Sequence, residues 1–125
     1  MAPKELKCEG LKDCKKLIAD SKDAERIFVL CTGKVDPATG KSWCPDCVKA
    51  DPVVEKCKED LPTHDVFITC VVGDRPTWKD PNNEFRVDSE FLLKGVPTLM
   101  KWGTSERLGD NDCSNEDLVS MLFEE

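Results

Sequence analysis

This chain of 125 residues lacks most of what a membrane or nucleic-acid protein needs. Its longest apolar run, VFITCVV, falls far short of the roughly 20 residues that cross a bilayer as a helix. The opening stretch MAPKELKCEG is polar, without the apolar centre of a secretory signal. No Asn-X-Ser/Thr acceptor for glycan occurs, so a cytoplasmic location is expected. Basic residues are the minority, 18 against 25 acidic, for a net charge of -7. Such a surface repels phosphate backbones and anionic lipid, so neither nucleic acid nor a membrane is expected as a partner. There is one histidine, His64. No internal repeat, low-complexity tract or linker is visible. A hydrophobic share of 39% is enough for one core, and the length suits a single domain over 1–125.

Cysteine is what the chain has in quantity, with eight. In a secreted chain these would suggest structural bridges. In the cytoplasm thiols stay reduced, and disulfides there tend to be catalytic or transient. Cys14, Cys31, Cys57 and Cys70 fall on apolar faces and read as buried thiols acting as small hydrophobes. Cys8 and Cys113 lie near element ends and are expected to be more exposed. Cys44 and Cys47 stand apart because of their spacing.

Apolar periodicity sets the order of elements. GLKDCKKLIADSK (10–22) predicts a helix with Leu11, Cys14, Leu17 and Ile18 on one face. RIFVLCTG reads as a buried strand, and KVDPATGKS as an unusually long loop. A helix is predicted from 45 to about 61, with Cys47, Ala50, Val54, Cys57 and Leu61 in one stripe and Pro52 inside, where it should introduce a kink. HDVFITCVVG is a second buried strand. DRPTWKDPNNEFRVD begins as a loop, with Asn82 or Asn83 capping a short helix that carries Phe85. VPTLMKWG and SERLGD form a hairpin turning at Gly103-Thr104. SNEDLVSMLFEE closes as a helix capped by Ser114, with Leu118, Met121 and Leu122 inward. The fold class expected is α/β: a central mixed sheet flanked by helices on both faces, the two inner strands parallel and the closing hairpin antiparallel. The pattern leaves open whether KELKCE adds a leading strand.

The stretch TGKSWCPDC (39–47) admits three chemistries. Gly40-Lys41-Ser42 ends like a phosphate-binding loop, but six residues separate Gly33 from Gly40 where that motif has four. A structural zinc site takes four ligands, commonly two C-x-x-C pairs. Here Cys44, Cys47 and His64 would need another distant cysteine, and Cys8 and Cys14 are too widely spaced for a second knuckle. The redox reading uses every residue present. Cys44 would cap the helix and Pro45 would take its first position, where no backbone donor is needed. The free N–H groups and partial positive charge of the helix end would then favour a thiolate at Cys44, making it the nucleophile. Cys47, one turn on, would be the less exposed, resolving thiol. Trp43 would shield the pair. Asp46, a carboxylate beside the thiolate, would disfavour the charged form, consistent with a pair that donates electrons.

These residues resemble the thioredoxin superfamily. The match of GKSWCPDC, PVV (52–54), WKDPNNEFR (78–86), VPTL (96–99) and MLF (121–123) is narrower, to the 14-kDa thioredoxin-related (thioredoxin domain-containing protein 17) family. The resemblance implies a thioredoxin fold and a cytosolic disulfide reductase recharged from NADPH by thioredoxin reductase, with no bound cofactor beyond the Cys44–Cys47 pair. It implies small disulfides such as cystine and selected oxidised protein thiols as substrates. Peroxide reduction and binding of a dynein light chain are also implied. Cys44 is then the nucleophile, Cys47 the resolving thiol, and Pro97 a cis-proline holding the Val96 backbone beside them, with Trp43, Pro45, Val96 and Pro97 lining the substrate site. One departure stands out: RIFVLCT carries no carboxylate after Arg26, so protons at Cys47 must move through Asp46, water or another group. We expect a monomeric reductase. The alternative is a redox-sensitive binding module without turnover.

Overall fold

A computed structural model describes residues 2–124. The chain orders as β1 (Lys4–Glu9), α1 (Leu11–Asp20), β2 (Ile27–Thr32), β3 (Val35–Asp36), β4 (Lys41–Ser42), α2 (Pro45–Lys58), β5 (Val66–Val71), α3 (Arg75–Lys79), α4 (Glu84–Val87), β6 (Thr98–Lys101), β7 (Arg107–Leu108) and α5 (Glu116–Glu124). The main sheet has the order β1-β5-β2-β6-β7. β1 and β2 both pair with β5 in parallel, while β6 runs antiparallel to β2 and β7. This is the mixed sheet of a thioredoxin fold. KELKCE is therefore a true edge strand, paired residue for residue with Val66–Val71.

Alternation along the strands divides the core into two layers. On β2, Phe28 and Leu30 face one way, where Ala50 and Val54 of α2 meet Val119, Leu122 and Phe123 of α5. Val29 and Cys31 face the other way, toward Cys14 of α1, Trp78 of α3 and Phe85 of α4. The sheet is thus covered on both sides, as its apolar strands require. Phe123 stacks edge-on against Phe28, ring centroids 4.9 Å apart, and ties the closing helix to the sheet. Among the described residues no helix is long and apolar enough to cross a membrane.

Several local expectations are corrected. The loop 34–42 folds back as a two-strand ribbon, β3 against β4. The stretch after β5 opens with a helix rather than a loop: Asp74 accepts a hydrogen bond from the Thr77 amide at 3.0 Å, and Pro76 fits the first turn. The last helix is capped by Asn115, whose Oδ1 accepts from the Asp117 and Leu118 amides at 3.0 and 3.2 Å, so Ser114 lies outside it. Its buried face is Val119, Leu122 and Phe123, and Met121 is exposed. Glu125 lies outside the described residues. The β6–β7 connection is longer than a two-residue turn, with the Lys101 amide donating to the Glu106 carbonyl. Pro52 sits inside α2 as expected, on its exposed side. Cys113 is fully buried, its Sγ donating to the Leu108 carbonyl at 3.5 Å.

Candidate active site

The site begins where β4 hands over to α2. Cys44 is the N-cap in extended conformation, Pro45 follows in the first turn, and the Cys47 amide donates to Cys44 Sγ at 3.3 Å. An N-cap normally offers an oxygen to these orphan amides; here sulfur takes that place. Cys44 Sγ also donates to the Val96 carbonyl at 3.4 Å. That carbonyl belongs to a segment far away in sequence, and the Val96–Pro97 peptide that follows is cis. The sulfur therefore lies between a helix terminus and an irregular strand entry.

A small scaffold fixes this corner. Ser42 Oγ donates to the Gly33 carbonyl at 3.0 Å and accepts from the Cys44 amide at 3.2 Å. The Trp43 indole donates to the Gly73 carbonyl at 2.9 Å, which holds the ring across Gly33. The serine that lends the sequence its phosphate-loop look thus orients the cysteine backbone. Ser42, Gly33 and Gly73 carried no signal of their own in sequence, since each acts through a contact made only after folding.

The two thiols are almost equally buried, at 5% exposure for Cys44 and 4% for Cys47, so burial does not distinguish them as expected. Their surroundings do. Cys44 lines an open cleft of about 390 Å³ with Trp43, Pro45, Asp46, Gly95 and Val96. Arg75, Lys79, Arg86 and Lys94 complete the wall, against Asp46 and Asp110. On a chain of net charge -7 this is a local concentration of cations. Arg86 is held there by stacking over Trp78, 3.9 Å from the ring centroid, and by donating to its carbonyl at 2.8 Å. The basic wall comes from three separated segments, so no local pattern announced it.

Cys47 lines a different cleft, of about 340 Å³, whose wall includes Lys7, Thr32, Gly33 and Asp51. The Gly33 amide donates to its Sγ at 3.4 Å. Burial pushes the Cys47 thiol up from 9.0 to about 12; the Cys44 sulfur adds to the shift, while the Thr32 hydroxyl and Gly33 amide oppose it. A protonated thiol at Cys47 beside a helix-capping sulfur at Cys44 divides the pair into two chemically different members. Asp46 shares the cleft of Cys44 rather than that of Cys47. His64 is remote from the pair and bonds Glu25 at 2.7 Å on the surface.

Comparison with known proteins covers nearly the whole chain. The family described as thioredoxin domain-containing protein 17-like, thioredoxin domain, matches residues 7–125. A thioredoxin domain-containing protein 17 from Danio rerio is 47% identical over 121 residues, covering 97% of this chain and 95% of the relative. The protein of the same name from Homo sapiens is 48% identical over 103 residues, 82% and 81% of the two chains. A thioredoxin-like protein Clot from Arabidopsis thaliana is 47% identical over 99 residues, 77% and 74%.

Proposed function

The chain belongs to the thioredoxin domain-containing protein 17-like family, and on that footing we propose that it is a cytoplasmic dithiol–disulfide oxidoreductase that reduces small disulfides and selected oxidised protein thiols. The observation that carries this reading is the setting of Cys44: a sulfur at a helix N-terminus, bonded by the Cys47 amide, opening on a cleft beside the Val96 backbone.

The chemistry follows from that setting. The Cys44 thiolate attacks one sulfur of a substrate disulfide, the substrate S–S bond breaks, and the departing thiolate takes a proton from water. The helix terminus stabilises the charge of the attacking Cys44 thiolate, which passes to the departing sulfur as the mixed disulfide forms. Cys47 then gives up its proton and attacks Cys44 Sγ, releasing the second substrate thiol and leaving a Cys44–Cys47 disulfide. Two electrons have passed from the pair to the substrate. The second cleft, lined by Lys7 and Asp51, would give the Cys47 proton a route to solvent. Thioredoxin reductase, drawing on NADPH, would reopen the bond, so the chain itself would need no bound cofactor. Trp43 and Pro45 would bound the substrate on one side, Val96 and Pro97 on the other. The basic wall favours disulfides that carry carboxylates, cystine among them. Asp46, in the same cleft, opposes build-up of negative charge on Cys44 and so tilts the pair toward giving electrons away.

The test is a coupled assay with NADPH, thioredoxin reductase and cystine. Wild type should consume NADPH. Cys44→Ser should bring consumption to background. Cys47→Ser should stop after one event, with a mixed disulfide on Cys44 visible by intact mass. Equal consumption by wild type and Cys44→Ser would rule out the mechanism, and consumption at background by both would favour a redox-gated binding module.

A further inference from the structure

Cys8, Cys14 and Cys70 are set well apart in the chain, yet their sulfur atoms all lie within 4.8 Å of one another. The fold brings them together in a regular way. Cys8 of β1 and Cys70 of β5 are direct partners across the parallel pair, so both side chains stand on the same face of the sheet. Cys14 is the buried residue of α1, the helix that packs on that face. The turn joining β1 to α1 is firmly held. The Gly10 amide donates to the Val71 carbonyl at 3.0 Å, and the Leu11 amide to Glu84 Oε2 at 2.9 Å. The Gly10 carbonyl receives the Cys14 amide at 3.2 Å and the Cys70 thiol at 3.9 Å. Gly10 itself takes φ 92°, a conformation suited to glycine.

We propose that Cys8, Cys14 and Cys70 form a trigonal three-thiolate site for a soft, thiophilic cation of the Cu(I) type, separate from the Cys44–Cys47 pair. Three thiolates at the ~2.3 Å of a metal–sulfur bond in a plane lie about 4.0 Å apart. The sulfurs therefore close in by less than about 1 Å, within the reach of small side-chain adjustments. All three donors are soft, which selects Cu(I) over hard cations. Cys31, the β2 partner of Cys70, lies beside Cys70 on the same face but outside the group of sulfurs that all lie within 4.8 Å of one another. Among the described residues that group therefore has three members, and the tetrahedral four-ligand set of structural zinc is incomplete. Cys14 and Cys70 are fully buried, whereas Cys8 is only half-buried, which supplies the entry path. The side chains of directly paired residues stand side by side, roughly perpendicular to the sheet, with Cys14 of α1 above them, an arrangement that presents three sulfurs to one point between sheet and helix. On binding, the cation replaces the thiol protons, which pass to solvent, and no electron changes hands.

The experiment uses the full chain carrying Cys44→Ser and Cys47→Ser, so that the redox pair binds nothing. The reduced, metal-free protein is titrated anaerobically with Cu(I) supplied as its bicinchoninate complex, whose colour reports transfer. We expect one Cu(I) per chain, with X-ray absorption giving three sulfur neighbours near ~2.3 Å. Adding Cys8→Ser should weaken binding beyond the roughly 10–100-fold that follows loss of an outer-shell partner. Cys8 is chosen because it is the least buried of the three, and the sulfur count on the Cys8-containing protein tests the site without any change to it. Equal Cu(I) binding with and without Cys8, a two-sulfur environment, preferential retention of Zn(II) from an equimolar mixture, or a disulfide involving Cys8 in place of bound metal would each overturn the proposal.

Discussion

A Cβ added at Gly33 would lie 2.8 Å from Trp43 Cε2 and 2.9 Å from Ser42 Oγ. Neither neighbour is free to withdraw: the indole is bonded to Gly73, and the serine bridges the Gly33 carbonyl to the Cys44 amide. Gly33→Ala should therefore cost about 1–3 kcal/mol, as overpacking does in well-filled sites. It should also lower disulfide turnover by shifting the backbone that orients Cys44. Urea denaturation and the cystine assay measure the two effects separately. A stable variant with full turnover would show that the Trp43–Gly33 contact plays no part in positioning the thiol.

Among the helices, α2 and α5 carry the chemistry and its support, and each starts with a cap that decides its register. In α2 the cap is the reactive sulfur itself, so substitutions at Cys44 change helix termination as well as activity. In α5 the cap is Asn115. Asn115→Ala should destabilise the protein by about 1 kcal/mol, whereas Ser114→Ala, one residue earlier, should leave stability within the roughly 0.5 kcal/mol of an ordinary surface change. Thermal melts of the two variants side by side check this; the reverse ranking would place the helix start at Ser114. The outcome bears on the core as well, since α5 delivers Val119, Leu122 and Phe123 to the layer beneath α2.

Across the fold, two features govern stability. Arg26 and Asp65 form a buried ion pair at 2.6 Å with Asp65 fully enclosed, and the same arginine donates to the Phe123 carbonyl at 2.8 Å. Arg26 donates to Asp65 Oδ2 alone, and Asp65 Oδ1 accepts no hydrogen bond among the described residues. Arg26→Met would strand the carboxylate and should cost about 3–5 kcal/mol. Adding Asp65→Leu to that variant should recover a large part of the loss, and a double variant no more stable than the single one would contradict this account. The second feature is alkaline sensitivity. Burial holds Cys47 and Cys113 up to about 12 from 9.0. Below pH 9 both folded and unfolded chains keep these protons. Between about 9 and 12 the unfolded chain has lost them and the folded chain has not. The unfolded state then binds fewer protons, and stability falls as pH rises. Urea midpoints of the reduced protein should decline through that window, with a shallower slope in Cys113→Ala.

Sequence alone was enough for whatever depends on near neighbours. The nearly continuous apolar runs of RIFVLCT and VFITC mark two buried strands, and Cys-Pro-Asp-Cys marks a helix start whose cap is a thiol, because those effects act within one turn or one strand. Adjacent candidates with similar chemistry were not separable this way. Ser114 and Asn115 both cap helices, and Met121 and Phe123 both fit an apolar stripe until a partner selects one face. The short helix after Asp74 was hidden by Pro76, which a first turn tolerates. Folding alone decided the rest. It carried the Val96 carbonyl to Cys44, assembled Arg75, Lys79, Arg86 and Lys94 into one wall, buried Cys113 and brought Cys8, Cys14 and Cys70 to a common point. Each of these joins segments distant in the chain, and the sheet pairing and helix docking that unite them are set by burial of the whole core, which no local stretch encodes.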